Sequence, residues 1–335
     1  MSKIRFQHTY NNIISLENLL DAWKEFVRGK QSRKDVQEFE RNLMTNLIAL
    51  HRELVAKKYS HSAYQHFKIA DPKPRDIHKA TVRDRLLHHA ICRVLYPFFN
   101  RVLIADSYSC RLDKGTHKAL DRFREFGYKV SQNNTRTCWV LKCDIKKFFA
   151  NIDQFILVEI IKKYIPEKDT FDLLKEIIGS FSSARRGVGL PLGNLTSQLL
   201  VNIYMNEFDQ FVKHKLKMKY YIRYADDFVI FSPDKKYLEE VLNIVGEFLL
   251  ERLKLELHPD KISIKIFSSG VDFLGWIHFP GYRVLRTATK KRMMRRLKMK
   301  AVPETLASYK GLLKHGNAEK LLSDICLEYL RVRDN

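Results

Sequence analysis

Long apolar runs are absent from this chain. Nothing approaches the roughly 18 consecutive apolar residues that a membrane-spanning helix needs, and the start, Met1-Ser2-Lys3-Ile4-Arg5-Phe6, has no apolar core of a secretion signal. A soluble, cytoplasmic protein with no membrane partner is the expectation. Cysteine is scarce: Cys92, Cys110, Cys138, Cys143 and Cys326 are odd in number and form no C-x-x-C pair, so they read as reduced, mostly buried thiols. The 12 histidines include His61 with His66 and the neighbours His88 and His89, but none stands at a zinc-site spacing with cysteine partners. The glycine-rich stretch from Arg185 to Gln198 lacks the Gly-Lys-Ser/Thr ending of a P-loop, which disfavours a nucleotidase.

Acid is also outnumbered: 38 Asp and Glu stand against 60 Lys and Arg, a net charge of +22. Such an imbalance suits a polyanion, because cations that displace condensed counterions gain affinity for any nucleic acid. A membrane surface is the rival polyanion. Binding one through residues 283–300 would need a wider apolar face than Met293, Met294 and Leu297 provide. At 335 residues and 45% hydrophobic content, the chain can bury two or three subdomain cores.

What is present is most telling between Tyr220 and Phe231. Tyr220, Ile222 and Tyr224 alternate with Tyr221 and Arg223, and after Ala225-Asp226-Asp227 the alternation resumes with Phe228, Val229, Ile230 and Phe231. The pattern predicts a hairpin with a two-residue turn at Ala225-Asp226 and Asp227 opening the return strand. Asp is a common turn former. Two adjacent carboxylates between aromatic strands, however, repel unless a cation sits between them, and a divalent cation is the better expectation.

Taken in order, residues 15–29 predict a helix capped by Ser15 and stopped by Gly29, and a second helix follows from Asp35 through Leu54. The segment Asp71-Pro72-Lys73-Pro74-Arg75-Asp76-Ile77 must be extended, as a basic binding piece or a solvated loop. Another helix is expected from Asp84 to Val102, then one from His117 with Thr116 as its cap. Thr137 to Asp144 reads as a buried strand ending in a carboxylate, and Asp153 as a further cap. Asp144 can be a polar strand end, or a third carboxylate brought beside Asp226 and Asp227. The second arrangement is a hard-oxygen site for Mg²⁺ and for two-metal phosphoryl transfer. The glycine-rich stretch feeds an apolar helix expected over Leu199 to Phe211. From Arg283 through Arg286, Lys290, Lys291, Arg292, Arg295, Arg296 and Lys298 to Lys300 no acid intervenes, a pattern that grips phosphates more often than it solvates a helix.

The order of the Asp144 strand, Gly189-Leu190-Pro191-Leu192-Gly193 with Ser197-Gln198, Tyr224-Ala225-Asp226-Asp227, His258-Pro259-Asp260-Lys261 and Phe273-Leu274-Gly275-Trp276 resembles reverse transcriptases over roughly residues 70–280. Leu192-Gly193-Asn194-Leu195-Thr196-Ser197-Gln198, Lys73-Pro74-Arg75 and Asp113-Lys114-Gly115-Thr116-His117 resemble those of diversity-generating retroelements, within the wider group of intron and retron enzymes. The resemblance implies an α+β right-hand polymerase: an N-terminal helical segment over 1–70, fingers and an antiparallel palm sheet over 71–280, and a short basic helical thumb over 281–335. It leaves no room within those bounds for a nuclease, RNase H or maturase domain.

The same resemblance implies roles. Asp144, Asp226 and Asp227 would hold two Mg²⁺ ions, or Mn²⁺, and Lys261 would protonate the departing pyrophosphate. Arg75 would clamp the triphosphate and Phe149 would clash with a ribose 2′-hydroxyl. Leu192, Gly193 and Gln198 would line the nucleotide, and Lys290, Lys291, Arg292, Arg295 and Arg296 would hold nucleic acid. Leu192 stands where many accurate relatives carry a hydrogen-bonding Gln. It implies error-prone copying, directed in that family at template adenines, although a leucine there can also be plain core. Implied partners are template RNA, primer and cDNA, dNTPs and a small basic accessory variability protein, in a bacterial, archaeal or phage-encoded system. Another bacterial reverse transcriptase, defence-associated or retron-like, is the alternative, as is a non-catalytic RNA-binding protein on the same fold.

Overall fold

The computed structural model describes residues 6–70, 74–299 and 302–333. Asp71, Pro72 and Lys73 of the proline-rich segment, and Lys300 at the end of the basic run, lie outside the described residues. In chain order the first helices are α1 (Tyr10–Ile14) and α2 (Leu16–Val27), where the Ser15 side chain accepts from the Asn18 N–H as its cap. The expected second helix is two, α3 (Lys34–Arg41) and α4 (Leu43–Val55), because Asn42 leaves helical geometry at φ −120. Next come β1 (Gln65–Ile69) and β2 (Arg75–Lys79), so the proline-rich segment runs into a strand. Helix α5 (Val82–Val102) is capped by the Thr81 side chain on the Asp84 N–H.

Helix α6 (Thr116–Val130) begins one residue earlier than expected. Its N-cap is Gly115, at φ 94, and the Thr116 hydroxyl instead shares a hydrogen bond of 3.0 Å with the Tyr224 hydroxyl. β3 (Trp139–Asp144) leads to α7 (Gln154–Lys162), capped by Asp153 as expected, and α8 (Lys168–Gly179). Helix α9 (Leu195–Gln210) begins four residues before the expected Leu199 and passes into a π turn at Phe211–Lys215. Its first turn reads as polar, but Thr196 and Ser197 are buried with the rest. β4 (Tyr221–Tyr224), β5 (Asp227–Ser232), α10 (Lys235–Leu253), β6 (Ser263–Ile266), β7 (Val271–Phe273), β8 (Trp276–Phe279) and β9 (Tyr282–Leu285) follow. The chain then enters α11 (Thr287–Met299), α12 (Pro303–Leu313) and α13 (Glu319–Arg333). Among the described residues no helix is long and apolar enough to cross a membrane.

The chain forms two compact units, each discontinuous in sequence. One comprises the residues up to Cys110, Ile145–Lys217 and Gly246–Leu257. Its centre is α9, buried along most of its circumference, against which α5 packs. The buried Tyr204 hydroxyl donates to the Leu253 carbonyl at 2.6 Å, so this buried helix satisfies its phenol.

The other unit comprises Arg111–Asp144, Met218–Val245 and the residues from His258 onward. It carries a four-stranded antiparallel sheet ordered β4-β5-β3-β6 and a three-stranded one ordered β7-β8-β9. Phe123 of α6 fills the space between them, its ring 4.8 Å from that of Phe231 and 5.2 Å from that of Phe273. The β7–β8 turn places Leu274 at φ 48 and Gly275 at φ 86, the double positive φ of a tight hairpin turn. Met293 and Leu297 bury the apolar stripe of α11, leaving Lys291, Arg295 and Arg296 exposed.

Gly316, in the turn between α12 and α13, sits against the face of Trp276; a Cβ there would overlap the indole. The Gly316→Ala protein should lose about 1–3 kcal/mol by overpacking, a fall of several degrees in the melting midpoint by scanning calorimetry.

Candidate active site

The acidic hairpin forms because two apolar alternating runs meet through a turn too short for any other geometry. Tyr224 pairs with Asp227, leaving Ala225 and Asp226 as the two turn residues, with Ala225 at φ 55. A positive φ strains a non-glycine residue. The turn is braced from inside: Arg223, fully buried, donates from Nη1 to the Ala225 carbonyl at 3.1 Å. The sequence offered only parity for this, since Arg223 stands on the inward side of an apolar strand.

β3 lies antiparallel to β5 with Trp139 opposite Ser232 and Asp144 opposite Asp227. This register brings two carboxylates 83 positions apart in sequence face to face at a strand end, with Asp226 next to them in the turn. Burial pushes the Asp227 carboxyl up to about 6; Lys142 opposes this, the Asp226 and Asp144 carboxylates reinforce it, and Lys261 opposes it again. Lys142 was missed by sequence reasoning. Its position two residues before Asp144 on the same strand was the available signal.

Lys261 stands on a single helical turn at Pro259–Lys261. The His258 N–H donates to the Asp144 carbonyl at 2.8 Å, which fixes that turn to the strand end, and the Lys261 ammonium reaches Asp144 Oδ1 at 2.6 Å. So the lysine and the first aspartate, far apart in sequence, form one ion pair.

A divalent cation fits this donor set. Three carboxylates with hard oxygen donors stand at one strand end, and a cation would relieve the repulsion that Asp226 and Asp144 add to burial in raising the Asp227 carboxyl. Among the described residues no three His, Cys, Asp or Glu side chains are already arranged around a point that could hold an ion. The Lys261 ammonium sits on Asp144 in that arrangement.

Arg75, Phe149, Leu192, Gly193 and Gln198 fall in the first unit, and the α11 cations in the second. Phe149 lies in a 3₁₀ turn at Phe148–Asn151; Phe148 is buried beneath it, and Phe149 is half-buried. The Phe149 carbonyl accepts from the Leu190 N–H at 2.8 Å, and the Leu192 carbonyl accepts from His78 of β2 at 3.1 Å. Asn194 donates to the His78 carbonyl at 2.9 Å. Gly193 takes φ 112, and a Cβ on it would come within 3.1 Å of Ile77. These bonds tie Phe149, Leu192, Gly193 and the strand that opens with exposed Arg75 into one ledge. Leu192 is half-buried, and Leu190 is the core leucine of this loop. Gln198 lies one turn into α9, half-buried. Lys290 and Arg292 are half-buried on α11, beside the exposed Lys291, Arg295, Arg296 and Lys298 of that helix.

The comparisons with known proteins agree with this layout. Residues 68–278 match the family "Reverse transcriptase (RNA-dependent DNA polymerase)". Protein YkfC of Escherichia coli is 26% identical over 67% of this chain and 66% of its own length. The group II intron-encoded protein LtrA of Lactococcus lactis is 24% identical over 86% of this chain and 56% of its own. The chain thus spans less than two thirds of those relatives' length. Among solved structures, apo telomerase from Candida tropicalis superposes with a TM-score of 0.56 at 12% identity, covering 82% of this chain and 57% of that one. Telomerase from Candida albicans in complex with a fragment of telomeric RNA gives 0.53 at 12%, covering 82% and 55%. At such identity the likeness speaks for the right-hand polymerase fold alone, while the family match extends over more than half the chain and holds every motif of the acidic hairpin and its neighbouring strand. This chain belongs to the reverse transcriptase family.

Proposed function

We propose that this chain is an RNA-directed DNA polymerase that copies a template-repeat RNA for a diversity-generating retroelement, with errors concentrated at template adenines. The observation that carries the polymerase reading is the pairing of Asp144 with Asp227 across adjacent strands, with Asp226 in the turn beside them. Two Mg²⁺ ions, or Mn²⁺, held by these carboxylates would supply an acidified primer 3′-hydroxyl and charge neutralisation on the triphosphate. The protein's own part is positional. Arg223 and the β3–β5 register hold the carboxylates, Arg75 meets the triphosphate, and Lys261 provides a proton for the leaving pyrophosphate from its place on Asp144. Fingers and palm over 71–280 follow the N-terminal helices of 1–70, and the basic helices of 281–335 act as thumb, with Lys290, Lys291, Arg292, Arg295 and Arg296 on phosphates.

The retroelement reading rests on Leu192 and on Ser197-Gln198. A half-buried leucine at the end of the loop can only pack, so a poorly seated base pair loses no hydrogen bond there. The small basic accessory variability protein and a cytoplasmic setting belong to this reading. Primer extension on an RNA template containing all four bases, followed by sequencing, tests it: cDNA with errors opposite adenine is expected, and accurate cDNA would leave the polymerase but point to another bacterial reverse transcriptase. In the same assay Leu192→Gln should lower adenine misincorporation by about three- to tenfold, the span of roughly 1 kcal/mol of added discrimination.

A further inference from the structure

A cavity of about 270 Å³ opens in the second unit between α6, the β8–β9 turn and the turn joining α12 to α13. Asp121, Arg124, His278, Arg283, Lys314 and His315 set its chemistry. Arg283 is only 9% exposed. Its Nε donates to the His315 carbonyl and its Nη2 to Asp121 at 3.2 Å, but Nη1 is buried without a partner. A buried guanidinium N–H without an acceptor is costly, and a bound oxyanion would relieve it. Asp121 is the one carboxylate among these six, and it is more than half exposed, so cationic groups prevail.

The cross-strand neighbour of Arg283 asks for something different. His278 is 1% exposed, its ring against Phe123 at 4.3 Å. Burial, together with Arg283 and Arg124, lowers its pKa to about 3, so the ring is neutral near pH 7. Its N–H is taken by the Phe273 carbonyl, and Nε2 is buried without a partner. In that tautomer Nε2 is a lone-pair acceptor. The cavity therefore suits a ligand that carries an anionic oxygen and, beside it, a hydroxyl donor. A DNA phosphodiester brings the first and not the second. An RNA strand brings both, through its phosphate and its 2′-hydroxyl; monohydrogen phosphate has the same pair of groups.

We propose that this cavity grips one phosphodiester of an RNA strand, with a non-bridging oxygen on Arg283 and the 2′-hydroxyl donating to His278. The polymerase reading enters only in naming RNA as the source of the phosphate. The test uses the full chain without divalent ions or dNTPs, so that binding is read apart from synthesis, and primer extension by the same proteins judges the polymerase reading separately. Arg124→Ala/Lys314→Ala alters two exposed residues and should keep the fold. It should weaken binding of a single-stranded RNA by about tenfold and reduce the salt slope by about 1. His278→Phe retains the ring against Phe123 and should abolish any preference for RNA over DNA of the same sequence, with DNA affinity unchanged. Thermal midpoints with and without inorganic phosphate report the free-anion alternative. If phosphate raises the midpoint of the unaltered protein but not of the double variant, while RNA affinity is the same for both, the strand assignment fails and the pocket is a free-anion site. If neither phosphate nor RNA distinguishes the variants, there is no site.

Discussion

Replacing Asp227 with Asn should abolish primer extension and, in the same protein, raise its melting midpoint. On the proposed metal-holding role of Asp227, the activity loss is expected to be at least about 10³-fold, on the order of 4 kcal/mol of transition-state stabilisation, because the isosteric amide would remove one charged oxygen while the β3–β5 register persists. The stability gain has a separate origin. The folded protein holds the Asp227 carboxyl up to about 6, against 3.8 as the ordinary value, with burial first and the opposed carboxylates adding to it. Below about pH 3.8 the group is protonated in both folded and unfolded chains and carries no penalty. Between 3.8 and 6 the unfolded chain binds fewer protons at this position, so stability falls as pH rises, and above 6 the full penalty applies. Asn carries none of it. In metal-free buffer at pH 8 the variant should therefore be more stable by about 1–3 kcal/mol, a difference that shrinks as the pH is lowered through that window. Calorimetry across pH 4.5–8, with and without Mg²⁺, checks the stability and primer extension the activity: a variant no more stable than the parent at pH 8 would mean that the Asp227 carboxyl carries no penalty from burial or its neighbours, and retained synthesis would remove Asp227 from the chemistry.

The reason this hairpin could be found without coordinates is that period-two alternation and a two-residue turn depend only on neighbours in sequence. Tyr220 to Phe231 specify their own register, and the Asp144 strand announces itself by its apolar run. Boundaries set by tertiary burial were less legible. Thr116 has the chemistry of a cap, yet Gly115 takes that place because φ 94 is open to glycine, and the Thr116 hydroxyl turns to Tyr224. Helix α9 starts at Leu195, not Leu199, since Thr196 and Ser197 are buried by the surrounding helices and not by any apolarity of their own. β1 gave no signal at all: four of its five residues are exposed, and it is a strand only because β2 pairs with it. Long-range electrostatics were the least accessible. Lys261 could be matched to a role, but its ion pair with Asp144 depends on the His258 N–H meeting the Asp144 carbonyl, a contact spanning more than a hundred residues. For Arg223 the alternation gives only the face it shares with Tyr221, whereas the fold buries it and sets its guanidinium on the turn carbonyl.

Phe149→Ala should separate sugar selection from synthesis. The aromatic ring is carried on a single 3₁₀ turn whose geometry is fixed from three sides. Lys147 enters it at φ 46, the buried Phe148 ring lies edge-on at 5.6 Å, and the Phe149 carbonyl is tied to the Leu190 N–H. Only the ring contact with Phe148 uses the Phe149 side chain, which is half-buried; the other two constraints are made by the backbone. Truncation therefore removes the ring while leaving the backbone in place. If the ring excludes a ribose 2′-hydroxyl by contact, its loss should raise ribonucleotide incorporation relative to deoxynucleotide by about 10–100-fold, the scale on which an apolar pocket discriminates a single added group. The KM for ribonucleotides should fall, and kcat with deoxynucleotides should change only a few-fold, because the carboxylates and their supports are untouched. Single-nucleotide kinetics with matched ribo- and deoxyribonucleotides measure both. An unchanged ratio, with a folded protein and normal deoxynucleotide kinetics, would assign Phe149 to packing of the ledge and place sugar selection elsewhere in the first unit.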